Sequence, residues 1–128
     1  MQGHKKTSYI KAGLLASALV TTQTNAQNAN GVYSVIGRGL ESCGKFTTAA
    51  NEATYHKNRN NWNTYLTYTQ GYLTGLNQYL PDNRNILGGT DVDGAMAFLE
   101  KYCRENPLAE YIDALENLTD ELYPKRSR

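Results

Sequence analysis

The sequence predicts an all-α protein: a small four-helix, disulfide-linked bundle that follows an N-terminal signal peptide. Three observations predict it. Apolar residues recur every third or fourth position over 62–80, 95–103 and 108–122. Pro81 and Pro107 fall between those segments, where a helix has to stop or start. The 128 residues fit one domain, and they hold two cysteines, one early and one late.

The beginning reads as an export leader. Lys5, Lys6 and Lys11 form a positive region, and Ala12 to Val20 is a short run of small and aliphatic residues. Thr24-Asn25-Ala26 resembles a cleavage site, so the signal peptide is assigned to 1–26. Nine apolar residues are too few to span a hydrocarbon core, so no membrane span is expected. Cleavage would leave ten basic and twelve acidic residues, a net charge of −2. With no basic patch, nothing argues for a nucleic-acid partner.

Residues 27–39 are read as a flexible leader with a short extended segment. QNANG at 27–31 is polar, and Val32 to Ile36 is apolar and ended by Gly37 and Gly39. A lone strand has no partner here, so no sheet is expected. The helical domain is placed at 40–123. Its first helix runs from Leu40 to Tyr55, with Cys43, Phe46, Ala50 and Ala53 near one face. His56 to Asn61 is a polar turn. Trp62 to Leu80 carries the longest stripe: Trp62, Tyr65, Leu66, Thr69, Leu73, Leu76 and Leu80. Gly71 and Gly75 lie one turn apart in this helix, at about 1 kcal/mol each against alanine, which suggests close helix packing there. Pro81 ends the helix, and 82–90 is a loop bent at Gly88-Gly89.

The third helix starts at Thr90, with Asp93 completing an approximate capping box, and buries Ala95, Phe98, Leu99, Tyr102 and Cys103. Asn106 is a good N-cap and Pro107 suits a first helical position, so the fourth helix is expected to start there. Its stripe is Leu108, Tyr111, Ile112, Leu115, Leu118 and Leu122. Residues 124–128, with Lys125, Arg126 and Arg128, read as a short solvated basic tail.

In an exported protein, two cysteines pair most simply as one disulfide, Cys43 with Cys103; otherwise they are two separate buried thiols. Closing a loop of that length stabilises by about 4 kcal/mol in the chain-entropy model.

The sequence argues against an enzyme and for no cofactor or metal. After cleavage His56 is the one histidine, in a polar turn, and no His/Cys cluster can be assembled. Asp91-Val92-Asp93-Gly94 looks like the start of a calcium loop, but position twelve is Tyr102 instead of the required glutamate, so these aspartates read as helix caps. The glycines form no phosphate-binding fingerprint. No pair of carboxylates stands out as a catalytic couple, although an enzyme that depends on one, Glu100 for example, is a third class to keep.

Nine tyrosines lie in the mature chain. Tyr68, Tyr72 and Tyr79 share a side of the second helix, beside its apolar stripe. They either widen the core or form a partner-binding or self-association surface. Nine of the twelve acidic residues lie between 91 and 121. They are read as the solvated faces of two helices or as an acid-responsive element.

With Cys43, Trp62 and Tyr-Cys-Arg-Glu-Asn-Pro at 102–107 in view, the chain resembles the small exported helical proteins of the HdeA/HdeB type over roughly 40–122. There, one disulfide fastens a bundle, with a first cysteine placed as Cys43 is and a second placed as Cys103 is. The layout is also similar to that of Rap/Tai-type immunity proteins, which carry a Gly-Tyr-x-x-Gly helix such as 71–75. The resemblance implies a periplasmic, non-enzymatic role and a homodimer. In the first version the protein chaperones unfolded clients under acid stress. In the second it plugs a type VI secretion amidase effector.

Overall fold

The computed structural model describes residues 33–128, and the expected signal peptide and residues 27–32 lie outside them. Four α-helices form the body: α1 Cys43–Tyr55, α2 Asn60–Tyr79, α3 Val92–Glu105 and α4 Tyr111–Leu122. Short 3-10 turns, Gly37–Leu40 and Tyr123–Lys125, flank the body. The described residues contain no strand, and none of their helices is long and apolar enough to cross a membrane.

Cys43, the first residue of α1, is bonded to Cys103, in the last turn of α3, with the two Cα atoms 4.7 Å apart. Both cysteines are fully buried. A second junction ties α1 to the α3–α4 corner through backbone. The Cys43 and Gly44 amides donate to the carbonyls of Ala109 and Pro107, and the Tyr111 amide donates to the Glu41 carbonyl. Free amides at one helix start are thereby satisfied by the corner that leads into another.

That junction corrects the expected start of α4. Asn106 ends α3: its backbone and side-chain amides both donate to the Tyr102 carbonyl at 2.9 Å. A residue before proline is pushed away from helical backbone, so the chain leaves the helix at Asn106. It re-enters at Tyr111, where Asp113 Oδ2 accepts from the Glu110 amide at 2.8 Å as in a capping box. Leu108 therefore sits on the outer corner, 96% exposed, off the apolar stripe. The start of α3 shifts by one: Asp91, in place of Thr90, is the cap and accepts from the Gly94 amide at 2.8 Å. Likewise α1 begins at Cys43 behind a Ser42 cap, and Leu40 belongs to the preceding 3-10 turn.

The core centres on three rings. Phe46, Tyr65 and Tyr111 meet pairwise with centroids 4.8–5.1 Å apart, and Tyr111 shares a 2.7 Å hydrogen bond with buried Thr69. Leu73, Leu99, Leu115 and Leu118 extend the core, and Ile86 joins it from the 82–90 loop.

Two further expectations are corrected. No backbone approaches Gly71 or Gly75: a Cβ built at either meets nothing within 4 Å among the described residues. The buried face of α2 is Tyr65, Thr69 and Leu73, and Gly71 lies about 200° around the helix from its neighbours in that stripe, on the outside. The close approach is at Gly39, where an added Cβ would collide with the Tyr68 hydroxyl and with Val35. The C-terminal residues do not form a solvated tail. Ser127 pairs with Asn85, and the Arg126 side chain, 6% exposed, lies over the Tyr123 ring and donates to the Asp82 carbonyl. Gly88 takes a positive φ of 55° against the Lys125 carbonyl.

Candidate partner-binding groove

The segment before α1 packs across α2. Residues 33–36 are neither helix nor strand, Ile36 has extended backbone, Gly37 has a φ of 74°, and the 3-10 turn brings buried Gly39 against Tyr68. The space between this segment and α2 is a groove of about 640 Å³. Val35, Ile36 and Tyr33 form one wall, Tyr68, Gly71 and Tyr72 the other, and Ile112 of α4 also lines it. None of its lining side chains is charged.

Of the three tyrosines singled out, the structure brings two together. Tyr68 and Tyr72 are half-buried in the groove wall, and the Tyr72 hydroxyl shares a 3.2 Å hydrogen bond with Thr119. Burial raises the Tyr72 pKa above the ordinary phenol value. Tyr79 lies near the end of the helix, 79% exposed and outside the groove. Cys43 and Cys103 are away from it, in the core.

The groove runs along an unusual helix. All twenty residues of α2 are uncharged, and its exposed positions are Asn, Thr, Gln, Gly and Tyr. Solvated surfaces are normally rich in charge, and the buried centres of protein interfaces are depleted of it and enriched in aromatics. α2 is about 30 Å long, so the uncharged strip extends well beyond the groove.

A polar clamp joins the turn that follows this wall to α2. The Arg38 guanidinium donates to Glu41 Oε2 at 2.7 Å, and the Tyr65 hydroxyl donates to the same oxygen at 2.5 Å. Arg38 also lies 4.9 Å from the centre of the Tyr65 ring. The Tyr65 hydrogen bond, with Arg38 beside it, holds the Glu41 carboxyl below the usual carboxylate range. Burial, and then the Glu41 carboxylate, push the Tyr65 hydroxyl far above its ordinary value. Beside the clamp is a smaller cleft of about 270 Å³ reaching Lys45, Glu52 and Asn61. Its Glu52 accepts from Asn61 at 3.2 Å.

Among the described residues, no three His, Cys, Asp or Glu side chains are grouped as metal ligands. His56 is exposed just past α1. Glu41 was not singled out by sequence reasoning, and neither was Ile36, 79% exposed on the groove wall. The signal for Ile36 was present in the apolar run 32–36, but not the element it would face. Compared with known proteins, the chain matches no family model, no curated protein and no solved structure.

Proposed function

We propose that this is an exported, HdeA/HdeB-like protein without enzymatic activity, which uses the groove and the uncharged face of α2 to hold another protein. The observation that carries the reading is the absence of charge along the whole of α2 beside an apolar, tyrosine-walled groove. Burying such a face strands no unpaired charge, and its amides and hydroxyls need hydrogen-bond partners from the occupant. The disulfide supports an oxidising compartment such as the periplasm.

Chaperoning under acid stress is the concrete form of this reading, and the Glu41 clamp favours it. Protonating Glu41 removes the ion pair with Arg38 and loosens the segment that walls the groove. Oxidised protein is expected to suppress aggregation of an unfolded client in strong acid and not at neutral pH. Gly71→Trp, which fills the groove from an open position, is expected to remove that suppression. Inactivity at both pH values would eliminate the chaperone form and leave pH-independent binding of one effector, as in the immunity proteins.

A further inference from the structure

We propose that the smaller cleft beside the clamp is a second binding site, and that it takes a small zwitterion: an amino acid or dipeptide with both ends free. The site is separate from the groove, so its failure would leave the protein-binding reading standing, and the reverse. Four charged side chains line the cleft, Arg38, Glu41, Lys45 and Glu52. At one end two cations meet a single carboxylate. Glu41 accepts from Tyr65 at 2.5 Å and from Arg38 at 2.7 Å, and Lys45 is close enough to favour its ionised form as well. Among the described residues the Lys45 ammonium makes no hydrogen bond or ion pair. That end therefore carries excess positive charge. At the other end the Glu52 carboxylate accepts only from the neutral Asn61 amide, at 3.2 Å, and its negative charge is uncompensated among the described residues.

Lys45 and Glu52 both belong to α1. Seven positions turn a helix through about 700°, so the two side chains leave α1 within about 20° of the same direction and about 10.5 Å apart along its axis. Ion pairs along a helix form at spacings of three and four, so these two charges are too far apart to neutralise each other. A simple anion would satisfy Lys45 and leave Glu52 as it is, and a simple cation would do the reverse. A ligand with a carboxylate at the Lys45 end and an ammonium at the Glu52 end satisfies both.

Length and volume set the size of that ligand. Charge-assisted hydrogen bonds of about 2.8 Å at each end leave about 5 Å of the span for the ligand's own charge separation. One or two extended residues cover about 3–7 Å, which is the reach of a free amino acid or a dipeptide. Ala49 and Tyr65, both buried, form the floor between the two charged ends. The cleft's volume of about 270 Å³ lies just below the range of about 300–1,000 Å³ that suits drug-sized molecules, and so fits a smaller one.

The test is an NMR titration of the oxidised, isotope-labelled protein with dialanine. Saturable shifts are expected at Lys45, Thr48, Glu52 and Asn61, with Tyr68 and Tyr72 in the groove unmoved. Acetyl-dialanine lacks the ammonium and dialanine amide lacks the carboxylate. Each is expected to bind about tenfold more weakly, through loss of one charge-assisted contact. Glu52→Gln should weaken dialanine about tenfold and leave acetyl-dialanine unchanged, because the contact it removes is already missing there. Lys45→Gln should behave in the same way towards dialanine amide. Alanine binding as tightly as dialanine would support the site and assign it to a single amino acid. Equal affinity for the free and capped forms would overturn the pairing of both charges. Shifts that do not saturate up to the solubility limit of both alanine and dialanine would overturn the site.

Discussion

Glu41 is the residue at which charge, backbone and core meet. Its carboxylate accepts from Arg38 and Tyr65, and its carbonyl accepts from the Tyr111 amide. Its folded pKa lies below the 4.5 of an unperturbed glutamate. The stability it contributes is therefore complete above that value and lost as pH falls through the folded pKa. Tyr65→Phe removes the largest cause of the depression. It should cost about 1–2 kcal/mol at neutral pH and flatten the acid limb of stability, as read by denaturant titration at pH 7 and pH 3. A loss unchanged between those pH values would show that the phenol acts through packing alone. The glycines make a second comparison. Gly39→Ala should destabilise by about 1–3 kcal/mol, since Tyr68 and Val35 leave no room. Gly71→Ala should stabilise by up to about 1 kcal/mol, since it adds helix propensity in open space. Thermal melts would resolve the opposite signs.

Helix existence and the buried faces were legible in the sequence, because apolar spacing records which side of a helix meets the others. The faces of α2 and α4 stand as the periodicity drew them, Leu108 apart, and so does the capping role of Asp91. The starts of α3 and α4 were less legible. Asn-Pro fits a helix start and a helix stop equally well, and the choice is decided by long-range bonds from Cys43 and Gly44 to the corner. The two-glycine spacing in α2 has two physical meanings, close crossing and an open outer face, and the sequence does not say which side is inside. At this scale, Leu108→Ser should change stability by no more than about 0.5 kcal/mol. Leu115→Ala, fully buried one helix on, should cost about 2–5 kcal/mol. Similar costs at the two positions would contradict the observed start of α4.

For the whole molecule, a single cross-link joins the first helix to the third, and everything between 43 and 103 is enclosed by it. Replacing both cysteines by alanine should lower stability by about 4 kcal/mol on the chain-entropy account. Equilibrium unfolding of the two forms would check it. The fold class and the pairing were legible at this scale, since two cysteines, one early and one late, have one intramolecular pairing. The groove was not. It is made by residues 33–37 lying across α2, and no pattern within either stretch records their meeting.

The central claim is that α2's uncharged face and the groove beside it hold a partner. Amide hydrogen exchange tests it most directly, measured on the oxidised protein with and without a reduced, carboxymethylated client. The account predicts slowed exchange confined to 33–37 and to the middle of α2 around 67–72. Protection located instead on the acidic outer faces of α3 and α4, with none at the groove, would contradict it.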